Sequence, residues 1–205
     1  RISINPQSMN DEVLRNIGRL HSAKDIVDAF KLARSLGFDN INMDLIAGLP
    51  GEKLEGFKNT LERVGELGPE SITVHTMAIK RASRLNEDKD SYSLISGNEV
   101  AKMVDAAYDF ITRNGLEPYY LYRQKNMLGN LENIGYSKPG YECMYNIQIM
   151  EEKQTIIALG AGAVTKVVFP ENNRIERTFN VKSVEEYVDR IEEMIERKRS
   201  LIDYC

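Results

Sequence analysis

The side chains of this chain that combine reactive types with an informative spacing lie in one stretch, Asn40-Ile41-Asn42-Met43-Asp44-Leu45-Ile46-Ala47-Gly48-Leu49-Pro50. Ile41, Met43 and Leu45 alternate with Asn42 and Asp44, the period of a strand with one polar face. Helical patterns on either side make it the β of a βα repeat, a unit whose strand C-termini and following loops carry ligand and catalytic groups. Asp44 stands on the polar face just before that end, where a carboxylate can accept hydrogen bonds, and Gly48 lets backbone approach a ligand closely. The same residues also suit an aspartate that caps a loop and a glycine and proline that end a strand.

Other reactive types are sparse. His21 and His75 are the only histidines, and neither has a Cys, Asp or His at zinc-ligand spacing. His75 lies near a strand's C-terminal end, where it either faces a pocket or is a hydrogen-bonded core residue. Cys143, between Glu142 and Met144, reads as a buried thiol without a neighbouring base, and Cys205 is terminal. Two cysteines are too few for a disulfide framework or a self-contained metal site. Gly160-Ala161-Gly162-Ala163 lacks the third glycine and helix start of a dinucleotide fingerprint, which leaves close packing of small residues as its reading. No hydrolase triad or pair of carboxylates stands out.

The elements that must position these groups follow from periodicity. Arg1 to Ile4 alternates as a strand, and Asn5-Pro6 places Gln7 in the loop after it. Asn10 and Asp11 cap a short segment ending at Gly18, with Arg19 beyond. Ser22 and Asp25 form a capping box before a helix that carries Ile26, Val27, Phe30, Ala33 and Leu36 and stops at Gly37. Helix 52–67 presents Leu54, Phe57, Leu61 and Val64 on one stripe, and strand 71–76 presents Ile72 and Val74 on one face. Three βα-like units in succession imply a parallel sheet. A polar connection over 80–96, with Lys80, Arg81 and Arg84, reads as solvated. Ser96 caps a helix bearing Val100, Met103, Val104, Ala107, Tyr108 and Ile111, followed by an aromatic strand, 116–122. Residues 124–141 read as a long loop. Strands are expected at 145–150, 155–160, 164–169 and 174–179, the last two as a hairpin. Ser183 caps a final helix carrying Val184, Tyr187, Val188, Ile191 and Ile195.

Composition excludes several classes. The chain is 42% hydrophobic and 28% charged, and its net charge of -4 argues against a nucleic-acid-binding surface. No apolar run approaches the roughly 20 residues of a membrane span, and no signal-peptide pattern is present, so the cytoplasm is the expected compartment. Because the chain opens inside an alternating strand without an initiator Met, it reads as a fragment with further βα units before Arg1.

Ser3-Ile4-Asn5-Pro6-Gln7-Ser8-Met9-Asn10, Ile17-Gly18-Arg19 and the stretch from Gly37 to Pro50 resemble the central motifs of the oxygen-independent coproporphyrinogen III oxidases, radical S-adenosylmethionine (SAM) enzymes. Gly135 to Glu142, Tyr145-Asn146 and Leu159 to Ala163 are similar to later segments of the same family, in particular its variant coproporphyrinogen dehydrogenase branch. The resemblance implies an α/β fold: residues 1–122 as the C-terminal βα units of a partial (β/α)6 barrel, and 123–205 as a small β-rich α+β extension with a terminal helix. It further implies SAM and a [4Fe–4S] cluster as cofactors. A radical formed from SAM would abstract hydrogen from propionates of coproporphyrinogen III, two of which become vinyls. The implied partners are that small-molecule substrate and an electron donor for the cluster, with no nucleic acid and no membrane. By matching motifs, Gln7, Arg19, Asp44, Ile46, Ala78 and Ile202 are the implied cofactor-binding residues; the catalytic residues remain unassigned. The chain lacks a CxxxCxxC loop, so the resemblance places the cluster cysteines upstream and implies that this polypeptide alone is inactive. A haem-binding chaperone on the same scaffold is the alternative, with iron ligands drawn from His21, His75, Cys143 or Cys205.

Overall fold

Ile41, Met43, Leu45 and Ala47 are fully buried, and the strand that carries them belongs to the larger of two compact units, Arg1–Glu142 and Cys143–Cys205. The computed structural model describes residues 1–78, 95–124 and 127–202. Lys80, Arg81 and Arg84 of the expected polar connection lie outside the described residues, as does Cys205.

The first unit runs β1 (Ile2–Gln7), α1 (Asp11–Asn16), α2 (Ala23–Ser35), β2 (Ile41–Ala47), α3 (Leu54–Leu67), β3 (Ser71–Thr76), α4 (Gly97–Arg113), β4 (Glu117–Tyr122) and β5 (Asn133–Ser137). Local chemistry sets the helix starts. Asn10 accepts from the N–H groups of Glu12 and Val13, the Ser22–Asp25 capping box is closed in both directions, and Ser96 caps α4. The sheet order is β1-β2-β3-β5-β4, with β1, β2 and β3 parallel and β5 antiparallel to both its neighbours. The α/β arrangement with parallel β1, β2 and β3 is the one the periodicity predicts; the antiparallel β5 and its β4 neighbour are additions to it.

Alternation divides the sheet into two faces. Ile41, Met43, Leu45, Ile72, Val74 and Tyr136 join Phe30, Phe57, Leu61, Val64, Val100, Met103 and Ile111 in one core cluster. Full burial of each such side chain contributes about 1.5–3 kcal/mol before conformational entropy is counted. The opposite face is left to polar residues.

Several expectations need correction. Gln7 ends β1 instead of following it. The long loop expected over 124–141 contains β5, an inner strand of the sheet. Its sequence, Asn133-Ile134-Gly135-Tyr136-Ser137, has a poor strand pattern, because Gly135 meets a tertiary requirement. A Cβ there would lie 1.8 Å from Cε1 of Tyr120, so only glycine lets that ring lie across the strand. Because β5 pairs with β3 and β4, the compact units divide after Glu142, twenty residues beyond the 122/123 boundary read from the sequence.

The second unit contains α5 (Met144–Glu151), β6 (Val164–Phe169), β7 (Arg174–Phe179), α6 (Val184–Asp189) and α7 (Ile191–Ile202). The β6–β7 hairpin is as expected, with Asn173 at φ 47° and ψ 38° ending its turn. The strand expected at 145–150 is α5. Its alternating Tyr145, Ile147 and Ile149 mimic a strand, a known ambiguity of short apolar runs, while Asn146 and Ile147 donate to the Cys143 carbonyl as in a helix. Residues 155–160 form no strand: only Ile156 pairs, with Lys166. The last helix is two, interrupted at Arg190, and Val184 and Val188 are exposed while Met194 and Lys198 are buried.

Candidate functional site

The polar face of the sheet is built by register. Ser3 lies beside Asn42 and Asn42 beside Ser71; Asp44 lies beside Thr73, Thr73 beside Gly135 and Gly135 beside Tyr120; Ile46 lies beside His75. Asn42 anchors this row. Its Nδ2 donates to Ser3 Oγ and to Asp44 Oδ1, both at 2.7 Å, and its Oδ1 accepts from Thr73 Oγ1 at 3.1 Å. Both ends of the amide are therefore committed, and the Asp44 carboxylate is held from one side.

Its other oxygen faces a histidine. Asp44 Oδ2 stands 3.8 Å from Nε2 of His75, and Nδ1 of the same ring meets the Tyr122 hydroxyl at 3.3 Å. Asp44 and His75 are both largely but not wholly covered, with side chains 20% and 26% exposed. Burial pushes the Asp44 carboxyl up, but the interactions with His75 and Asn42 outweigh it and hold the group below the usual carboxylate range. Burial raises Tyr120 to about 12 and also raises Tyr122, which the Asp44 charge pushes further, so this face presents one anion among neutral phenols at neutral pH. Tyr120 and Tyr122 stack, with ring centroids 6.1 Å apart.

At the C-terminal end of the parallel strands, beside this network, is a pocket of about 190 Å³. Ile46, His75, Met77, Ala78, Gln124 and Asn133 line it. Asn133 also accepts from the Thr76 N–H at 2.8 Å, and Ala78 forms a β-bridge with Met127, which closes the floor around β3. The ionised Asp44 thus lies near a pocket that offers both apolar side chains and amide groups.

Of the residues singled out from sequence, Ile46 and Ala78 line this pocket together, and Asp44 adjoins it through His75. Gln7 sits at the end of β1 opposite Leu45, buried, with φ at 67°. A glutamine in the left-handed region costs on the order of 1–3 kcal/mol. Arg19 is exposed after α1; His21, two residues on, lies 3.4 Å from the Pro6 carbonyl and ties that segment to the end of β1. Among the described residues no hydrogen bond or ion pair links Arg19 to the Asp44 group. Ile202 is the last residue of α7, in the other unit. His75, left open between pocket and core, lines the pocket. Its strand phase, alternating with Ile72 and Val74, was the available signal. Tyr120, Tyr122, Gln124 and Asn133 had none, because they reach the site through the unforeseen β5 pairing.

A second buried acid went unnoticed. Glu52 receives the Ser8 hydroxyl at 2.6 Å on Oε1, while Oε2 is buried without a hydrogen-bond partner. Burial drives its pKa up to about 7 despite Ser8 and Thr60.

Comparison with known proteins follows the same lines. Residues 1–64 match the Radical SAM superfamily. The chain is 47% identical over 198 residues to the oxygen-independent coproporphyrinogen-III oxidase-like protein HemZ of Bacillus subtilis (strain 168), covering 97% of this chain and 40% of that protein. It is 30% identical over 178 residues to the heme chaperone HemW of Escherichia coli (strain K12), covering 87% and 43%. The solved structure of the Escherichia coli coproporphyrinogen III oxidase HemN, a radical SAM enzyme, superposes with a TM-score of 0.66 at 21% identity over 93% of this chain and 43% of that one, a likeness of fold. The chain thus spans less than half the length of these relatives.

Proposed function

We propose that this chain, which matches the Radical SAM superfamily over residues 1–64 and is similar to the oxygen-independent coproporphyrinogen-III oxidase-like HemZ, contributes to an enzyme that oxidatively decarboxylates two propionates of coproporphyrinogen III to vinyls in haem biosynthesis. The observation that carries this reading is the row Asn42–Asp44–His75 on the polar sheet face, opening onto the Ile46–Ala78 pocket. It lies within the span that is 47% identical to the oxidase-like HemZ.

Radical SAM proteins in general use SAM with a [4Fe–4S] cluster. The residues of this chain do not fit the cluster: the sequence contains two cysteines, Cys143 and Cys205, far apart and without a CxxxCxxC loop. By itself the chain is therefore proposed to be inactive. They do fit SAM. Asp44 would accept from its cationic or hydroxyl groups, Ile46 and Ala78 would give its apolar parts a surface, and Gln7 and Arg19 would approach from the β1 side. SAM, once bound, supplies the oxidising equivalent; the chain's own part is to orient it and keep one carboxylate ionised beside it.

The HemW relatives support a second reading, haem binding. It is weaker here because His75 already has Asp44 and Tyr122 at its two ring nitrogens.

The complete gene product, reconstituted anaerobically with iron and sulfide, should release CO2 from coproporphyrinogen III when SAM and a reductant are supplied. Absence of CO2 together with stoichiometric haem uptake and a sharp Soret band would favour the chaperone reading.

A further inference from the structure

We propose that His75 is a positioning residue for Asp44: its ring holds the carboxylate in place beside the pocket, while Tyr122 fixes the tautomer of the ring. This rests on the reading that the polar face receives SAM.

The geometry assigns each hydrogen. An ionised Asp44 can only accept, so the nitrogen that faces it, Nε2 at 3.8 Å, carries the hydrogen of the neutral ring. Nδ1 is then the acceptor, and the Tyr122 hydroxyl at 3.3 Å donates to it. Tyr122 stands edge-on to the ring, at 73° and 6.4 Å between centroids, and cannot cover it. One side of the imidazole therefore stays open to the pocket it lines. Among the described residues, the titratable groups facing His75 are Asp44 from β2 and Tyr122 from β4, with Tyr120 stacked behind Tyr122. From β5, Asn133 is neutral.

Two measurements on the full chain test this. Nitrogen-15 spectra of the imidazoles, assigned with His75→Gln since His21 is the only other histidine, should show His75 with its hydrogen on Nε2 and ring signals that move in Asp44→Asn and Tyr122→Phe. Calorimetric titration with SAM should give affinity about tenfold weaker in Asp44→Asn and in His75→Gln than in the wild type, with no further loss in the double variant. A hydrogen on Nδ1, or additive losses in the double variant, overturns the proposal. If SAM fails to bind, the cofactor reading fails, and the spectra alone then decide whether His75 positions Asp44.

Discussion

The Tyr122 hydroxyl meets Nδ1 of His75 at 3.3 Å although their strands are not neighbours, since β5 lies between β3 and β4. On β5 it is Asn133 that stands beside Tyr122, while Gly135, two residues on, lies between Thr73 and Tyr120 and leaves room for the Tyr120 ring. A glycine in a sheet is ordinarily a weakness. Here it lets the Tyr120 ring lie across β5, on the face that carries Thr73.

Gly135→Ala should therefore disturb more than its size suggests. The added methyl would fall on the Tyr120 ring, and overpacking of this kind costs about 1–3 kcal/mol. Urea unfolding of Gly135→Ala should show that loss. Adding Tyr120→Ala should restore part of it, because the two residues share one space. Additive losses in the double variant would mean that the ring is not held there.

Glu52→Gln should stabilise the protein in a pH-dependent way. The folded-state pKa of Glu52 is raised to about 7 by burial. The folded state thus binds the proton more tightly than the unfolded one, and stability falls as pH climbs from the unfolded value towards 7. Glutamine keeps the acceptor for Ser8 and has no proton to lose. Denaturation at pH 5 should show little difference between the two proteins, and at pH 8 a gain of about 1–3 kcal/mol for the variant. Equal effects at both pH values would contradict a raised pKa.

Glu70 has the opposite sign. Its carboxylate receives Arg34 Nη2 at 2.6 and 2.8 Å and the Ile41 N–H at 3.1 Å, which together outweigh burial and hold its pKa below the usual range. That stabilisation is present above the unfolded carboxylate value and is lost as pH falls through the folded one. Glu70→Gln should cost about 1–2 kcal/mol at pH 7, discounted because Arg34 is partly exposed, and progressively less towards acid pH. A loss that persists undiminished at pH 3 would assign Glu70 a packing role.

Most of the parallel half of the fold was legible because its signals are local. Ser22 and Asp25 cap α2 by chemistry visible at three-residue spacing, and Ile41, Met43 and Leu45 declare their face by alternation. Asp44 stands on the polar face of β2 beside Thr73, and Ile46 and Ala78 line one pocket. What escaped was decided at long range. β5 is a strand because β3 and β4 satisfy its backbone, not because its own residues favour extension. The run 145–150 has the alternation of a strand but folds as a helix. His75 could not be told from a core histidine without knowing that Tyr122 lies across β5 from it.

Asp44 is the residue whose removal tests the cofactor site most directly. Equilibrium binding of SAM at pH 8 should be weakened at least about tenfold in Asp44→Ala, the scale expected when a charge-assisted hydrogen bond is removed. Ala78→Leu, which would crowd the pocket, should weaken it as well, and both variants should keep the wild-type circular dichroism spectrum. Unchanged affinity in both variants, with the fold intact, would contradict the assignment of this sheet end as the cofactor site.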